Sequence, residues 1–135
     1  MSAFQACPSI QYPKATIKRA ERAIKCSPFG LALLVAMIHQ SVSLQEIAGA
    51  SGVRHRFTTV ALSELAAEGA LLWLIQVGVL RREVDGQGLT DSFRLTPLGR
   101  QWVEKVQQRG MNQFPAPTLS DRLYNAVSRW IRFPF

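Results

Sequence analysis

The sequence predicts a mainly α-helical fold carrying one small β-hairpin. Several segments repeat apolar residues at helical spacing behind capping residues. One stretch, Val79 to Thr96, switches to period-two alternation around a glycine-rich turn. The composition, 47% hydrophobic and 19% charged, is that of a chain that buries a core. At 135 residues it is sized for one domain with extensions, needing neither disulfides nor a metal to fold. The expected organisation is a basic arm and helix over 1–27, a central domain over 28–110, a proline-containing linker over 111–118 and an amphipathic helix over 119–135.

Residues 1–13 hold Pro8 and Pro13 without periodicity and read as an irregular arm. Lys14 to Cys26 reads as a helix with Ile17, Ala20, Ala23 and Ile24 on one face. Lys14, Lys18, Arg22 and Lys25 lie around the other side. Ser27-Pro28 has the form of a helix start, serine as N-cap and proline at the first position. The helix expected from Pro28 to Gln40 is apolar nearly all round and should sit at the centre of the core. His39, near its end, is expected to be structural.

Ser43 followed by Glu46 forms a capping box for a short helix that buries Leu44, Ile47 and Ala48. The small residues Gly49 to Gly52 then suit a tight turn, and Ala48 with Gly52 leaves room for a close crossing. A second helix is expected from Val53, with Leu62 and Leu65 on one face. Gly69 fits either a C-cap or a helix running through to about Val77, and the continuous reading is preferred.

Strands are expected over Val79–Val84 and Ser92–Thr96, joined by a polar loop. Alternation turns Leu80, Val84, Phe93 and Leu95 inward and Arg81, Glu83 and Arg94 outward. Arg82 falls on the inward set and must lie at an edge or snorkel. Thr96-Pro97 opens a helix with Leu98, Trp102 and Val106 on one face, closed by Arg109 and Gly110. The final helix carries an apolar stripe of Leu119, Leu123, Val127, Trp130 and Ile131, flanked by Arg122, Arg129 and Arg132.

The net charge of +7 and a pI near 10.3 favour an anionic partner: DNA, RNA or an acidic membrane surface. The charge is uneven. Residues 31–80 hold two arginines against three glutamates, and no Lys or Arg occurs from Phe57 to Leu80. Cys7 and Cys26 form no Cys-x-x-Cys pair, which reads as reduced thiols in a cytosolic protein. Cys26 beside Lys25 is a redox-switch candidate, with a buried inert thiol as the alternative. No signal-peptide core and no bilayer-length apolar run is present, so a cytoplasmic protein is expected. No cofactor, metal site or enzymatic activity is expected. The chain holds two histidines, no phosphate-binding glycine loop and no nucleophile–base–acid set.

The order helix, helix-turn-helix, hairpin, helix resembles the winged helix-turn-helix domain of bacterial transcriptional regulators, most nearly the MarR- and PadR-like families. The stretches "SLQEIAGASGVRHRFTTVALSEL" and "GVLRREVDGQGLTDSFRLTPLGRQWVEKV" carry the resemblance. It covers about Pro28 to Arg109. It implies double-stranded DNA binding, with the second helix of the motif in the major groove and the hairpin as a wing. Carried over by position, the groove-facing candidates are Arg54, His55, Arg56, Thr58 and Thr59. Arg81, Arg82 and Arg94 are the wing candidates. Flanking helices in these families commonly dimerise, so Leu119, Leu123, Val127, Trp130 and Ile131 are candidates for a homodimer interface, with packing on the chain's own core as the alternative.

The resulting expectation is a dimeric, sequence-specific DNA-binding transcriptional regulator. The alternative is a winged-helix protein-interaction or assembly factor that does not read bases; its support is the neutral middle of the motif. Membrane attachment is not expected, since three arginines on the last helix are few for stable binding.

Overall fold

A computed structural model describes residues 11–110 and 119–131, apart from the side chains of residues 89, 120, 124 and 128–131. Most of the arm expected over 1–13, with Cys7 and Pro8, and all of the linker over 111–118 lie outside the described residues, as does Arg132. Among those described, seven helices surround a three-stranded antiparallel sheet of order β1-β3-β2.

The first helix, α1 (Lys14–Lys25), buries Ala20, Ala23 and Ile24, the face expected from their spacing. α2 (Leu31–His39) starts three residues later than Ser27-Pro28 suggests, with Gly30 as its N-cap. The Ser27 hydroxyl turns back and donates to the Ile24 carbonyl at 2.8 Å, finishing α1 instead of opening α2. Phe29 stays extended in an antiparallel bridge with Thr58, and the Gly30 N–H donates to the Phe57 carbonyl at 2.9 Å. α2 then buries Leu31, Leu33, Leu34 and Met37 at the centre of the core. His39 is exposed.

β1 (Val42–Ser43) leads directly into α3 (Leu44–Ile47). The capping box forms as expected. Ser43 Oγ accepts from the Glu46 N–H at 3.2 Å, and Glu46 Oε1 accepts from the Ser43 N–H at 3.3 Å. The turn expected over Gly49–Gly52 is instead a second short helix, α4 (Gly49–Arg54). Ala48 is extended between the two, and Gly49 takes a φ of 66° that few side chains tolerate. At Gly52 the approach to α3 is so close that a Cβ would stand 1.9 Å from the Ile47 carbonyl oxygen.

The single helix expected from Val53 through Gly69 does not form. α4 stops at Arg54, and residues 55–63 are not helical. One local and one long-range interaction outweigh the helical pattern. The Phe57 N–H donates to the Gly52 carbonyl at 2.8 Å, and Thr58 bridges to Phe29. Phe57 is buried by this arrangement. α5 (Glu64–Gln76) begins afresh at Ser63, whose hydroxyl accepts from the Ala66 N–H at 3.1 Å. It passes Gly69 without a break, and the C-cap is Val77. Leu62 and Leu65 therefore share no helical face: Leu62 precedes α5, and Leu65 is 80% exposed.

The hairpin consists of β2 (Leu80–Asp85) and β3 (Gly88–Leu95). Its loop is only Gly86 and Gln87, shorter than expected, because Val84 pairs with Leu89 and Asp85 with Gly88. Leu80 and Phe93 point into the core as alternation requires. Val84 does not. The register shifts between Arg82 and Val84, which turns Val84 out to 61% exposure.

β1 pairs with β3 at Val42–Phe93 and Ser43–Ser92, tying the sheet to the capping box. Thr96 caps α6 (Pro97–Gln108), with Pro97 in its first turn. Thr96 Oγ1 accepts from the Gly99 N–H at 3.2 Å and reaches the carbonyls of Gly78 and Val79. α6 buries Leu98, Trp102 and Val106 on one face, as their spacing implies. α7 (Leu119–Ile131) lies against α1.

Candidate interaction surface

The residues expected to face DNA fall into two groups, with no hydrogen bond or ion pair joining them among the described residues. The first group sits on the link from α4 to α5. Arg54, His55, Arg56 and Thr59 are exposed there. Thr58 is not: at 4% exposure its hydroxyl is buried and finds no hydrogen-bond partner. The bridge to Phe29 draws it into the core, so Thr58 does not face outward with its neighbours. His55 is held by its Nδ1, 2.8 Å from the Ser51 carbonyl, and its ring stacks on Phe57 with centroids 5.3 Å apart. A carbonyl only accepts, so that nitrogen carries the proton. Arg56 has a φ of 63°, the one positive value at a non-glycine residue among those described. It occupies the left-handed position that usually ends a helix with glycine.

The second group is the hairpin. Its three arginines are all matched by carboxylates. Arg81 and Arg94 stand directly opposite each other in the register, a like-charge pair that is unfavourable alone. Glu83 offsets it, 3.6 Å from Arg81 and 3.9 Å from Arg94. Arg82 snorkels, as its inward position requires. Its guanidinium lies over the Phe93 ring, reaches Glu68 and Asp91 at 3.6 and 3.4 Å, and donates to the Thr90 carbonyl at 3.1 Å. The hairpin therefore presents a nearly neutral surface.

A further exposed face, not expected from the sequence, lies on α5. Leu65, Leu72 and Gln76, at steps of seven and four, form an exposed stripe along α5. Leu65 is 80% and Leu72 43% exposed. Glu64 and Glu68 stand beside them in the first turns, and Val60 just ahead of α5 is 58% exposed. The face is apolar and acidic. One signal for it was in the sequence: the absence of any cation from Phe57 to Leu80.

The same division holds for the whole chain. Residues 26–96 carry five arginines, all in the two groups above, against six carboxylates. The remaining eleven basic residues and three acidic ones lie in the sequence before and after, much of it in α1, α6 and α7. The excess positive charge belongs to the terminal helices, not to the hairpin or the helix before it.

A family model, Npun_F0494-like, matches residues 10–129, nearly the whole described chain. The chain belongs to the Npun_F0494-like family. No curated protein and no solved structure matches it.

In this Npun_F0494-like chain the stripe on the last helix faces outward. Leu119, Leu123 and Val127 are 85%, 64% and 45% exposed; the side chains of Trp130 and Ile131 lie outside the described residues. α7 docks by its polar side. Asp121 pairs with Lys25 at 3.4 Å, and Asn125 accepts from the Trp73 indole N–H at 2.9 Å. Packing of the Leu119, Leu123 and Val127 stripe on the chain's own core is therefore corrected.

Cys26 is partly buried where α1 meets α7. Burial, and then the Asp121 carboxylate, push its thiol pKa up against the opposing pull of Arg122, Lys25 and Arg22. Among the described residues no group of three His, Cys, Asp or Glu side chains is placed to hold a metal ion, and no helix is long and apolar enough to cross a membrane. An open groove of about 310 Å³ between the start of α1 and α6 is lined by Tyr12, Ile17, Gln101, Glu104, Lys105 and Gln108.

Proposed function

We propose that this protein is a winged-helix module that docks a partner protein through the outer face of α5. The winged reading is supported by the order α2, β1, α3 with α4, α5, β2, β3 and by the sheet order β1-β3-β2. It also matches the resemblance to MarR- and PadR-like domains. On this reading α5 stands where such domains carry the helix that enters the major groove. The observation that carries the docking role is the make-up of that helix. A groove-reading helix sets its first turns against base edges and a polyanionic backbone. Here those turns carry Glu64, Leu65 and Glu68, and Leu72 continues the exposed stripe. The exposed Glu64 carboxylate would repel phosphate, and Glu68, already paired with Arg82, adds no cation to offset it; the same residues suit a protein surface with apolar side chains rimmed by lysine or arginine.

Sequence-specific DNA binding is the second reading, and one observation favours it. Arg54 and Arg56 are exposed and make no ion pair among the described residues. With His55 they offer a compact basic point that a two-fold dimer would present twice to a palindromic site. Selection from a random pool of double-stranded DNA at two salt concentrations separates the readings. Docking predicts weak binding without an enriched motif, lost as salt rises. An enriched motif that survives salt and disappears in the Arg54→Ala, Arg56→Ala double variant would establish base reading instead.

A further inference from the structure

The last helix is amphipathic, yet it meets the rest of the protein with its polar side. Lys25 holds Asp121 and Trp73 holds Asn125, so Leu119, Leu123 and Val127 are left facing outward. The edge of α1 beside it is cationic. Lys14, Lys18 and Lys25 fall on one side of α1 at steps of four and seven, and Lys25 is the member that reaches α7. Lys14 and Lys18 remain exposed on that edge, and Arg122 is exposed on α7.

We propose that this face, the outer stripe of α7 with the cationic edge of α1, binds an anionic membrane surface. The apolar stripe would enter the headgroup boundary while Lys14, Lys18 and Arg122 meet lipid phosphates. The three arginines of residues 119–135 are few for this task alone; the fold adds the lysines of α1 to them. The sequence itself continues the pattern, alternating arginine with aromatic residues at Arg129, Trp130, Arg132, Phe133 and Phe135. Tryptophan and arginine are the residues that settle at a lipid–water boundary.

Charge decides between a membrane and a second copy of the chain. Glu21 and Asp121 are the carboxylates of α1 and α7, and both are engaged, Glu21 with the Trp102 indole at 3.2 Å and Asp121 with Lys25. Pairing two copies through α7 would bring the exposed Lys14, Lys18 and Arg122 of each copy toward those of the other, and like charges within about one Debye length still repel. An anionic surface supplies the missing negative charge.

Vesicle co-sedimentation of the full chain tests this, using phosphatidylcholine with and without phosphatidylglycerol. The protein is expected to partition onto the anionic vesicles and to be released by salt. Lys14→Gln with Lys18→Gln should lower the partition coefficient about 25-fold, near fivefold for each cation. Leu119→Gln with Leu123→Gln should lower it about tenfold or more. Both leucines are exposed, so circular dichroism should show an unchanged fold in that variant. Equal partition onto both vesicle types, no partition onto either, or a stripe variant that binds like the parent would overturn the proposal. So would a parent protein that sediments as a dimer and becomes monomeric in Leu123→Gln, since a second copy would then cover the stripe.

Discussion

The guanidinium carbon of Arg82 lies 5.2 Å from the centre of the Phe93 ring, its direct partner across the hairpin. Phe93 is fully buried, so the arginine closes the core at the sheet edge with its stem and turns its charge to Glu68, Asp91 and the Thr90 carbonyl. The basic hairpin is thus a lid whose charge is largely spent within the fold. Arg82→Ala is expected to cost about 1–2 kcal/mol, from the ring contact and the half-buried ion pairs together. Arg82→Lys should recover part of it, since lysine keeps the charge but not the flat fork. Urea denaturation of the three proteins measures both differences, and an Arg82→Ala midpoint equal to the parent's would remove this role.

Two glycines fix how closely neighbouring elements approach. A Cβ at Gly99 would stand 2.6 Å from the Val79 carbonyl oxygen and 2.8 Å from Leu95 Cδ1. At Gly52 the Ile47 carbonyl is nearer still. Backbone cannot move aside as a side-chain tip can, so Gly99→Ala and Gly52→Ala should each cost about 3 kcal/mol, with Gly52→Ala the worse. Gly49→Ala is strained by its φ alone and meets no atom within 4 Å; it should cost less than either. Thermal melts of the three variants check the order.

Thr58 leads to a prediction of the opposite sign. Its hydroxyl is buried without a partner, and valine has nearly the same shape. Thr58→Val should therefore raise stability by about 1 kcal/mol, because an unsatisfied polar group is removed from the core. A drop in stability would mean that the hydroxyl is satisfied in solution.

The Cys26 thiol should behave as an inert group near neutral pH. Its pKa is raised on folding from an ordinary value of 9.0, chiefly by burial. The folded state thus holds this proton more tightly than the unfolded chain. The stability this gives is complete below the unfolded pKa and is lost as pH rises through the folded one. Reaction with a disulfide reagent at pH 7 should be slower for Cys26 in the folded Cys7→Ala variant than in the same variant unfolded in urea. Equal rates would mean that folding neither shields the thiol nor raises its pKa, and would reopen a redox role.

Where structure was set by neighbours in the chain, it was legible in advance. Ser43 with Glu46 and Thr96 with Pro97 are local devices, and both cap helices as their spacing indicates. The snorkelling of Arg82 followed from alternation alone. Ser27-Pro28 has the same local form and does not start a helix, because its hydroxyl is taken by Ile24 and Phe29 is needed for the bridge to Thr58. That bridge joins the residue before α2 to the link between α4 and α5, far apart in the chain, and no local pattern announces it. It also removed Thr58 from the surface and stopped the helix expected from Val53, so that a new helix starts at Ser63 and leaves Leu65 and Leu72 exposed. Likewise the stripe on α7 was visible, but its outward direction depends on the pairs Lys25–Asp121 and Trp73–Asn125.

Whether the outer face of α5 meets a protein rather than DNA can be read from a photo-cross-linking residue at position 65 in the full chain expressed in living cells. A discrete protein adduct is expected that nuclease leaves intact and that Glu64→Lys with Leu72→Lys abolishes. A nuclease-sensitive adduct at position 65, or protein adducts indifferent to those two substitutions, would rule out protein docking by this face.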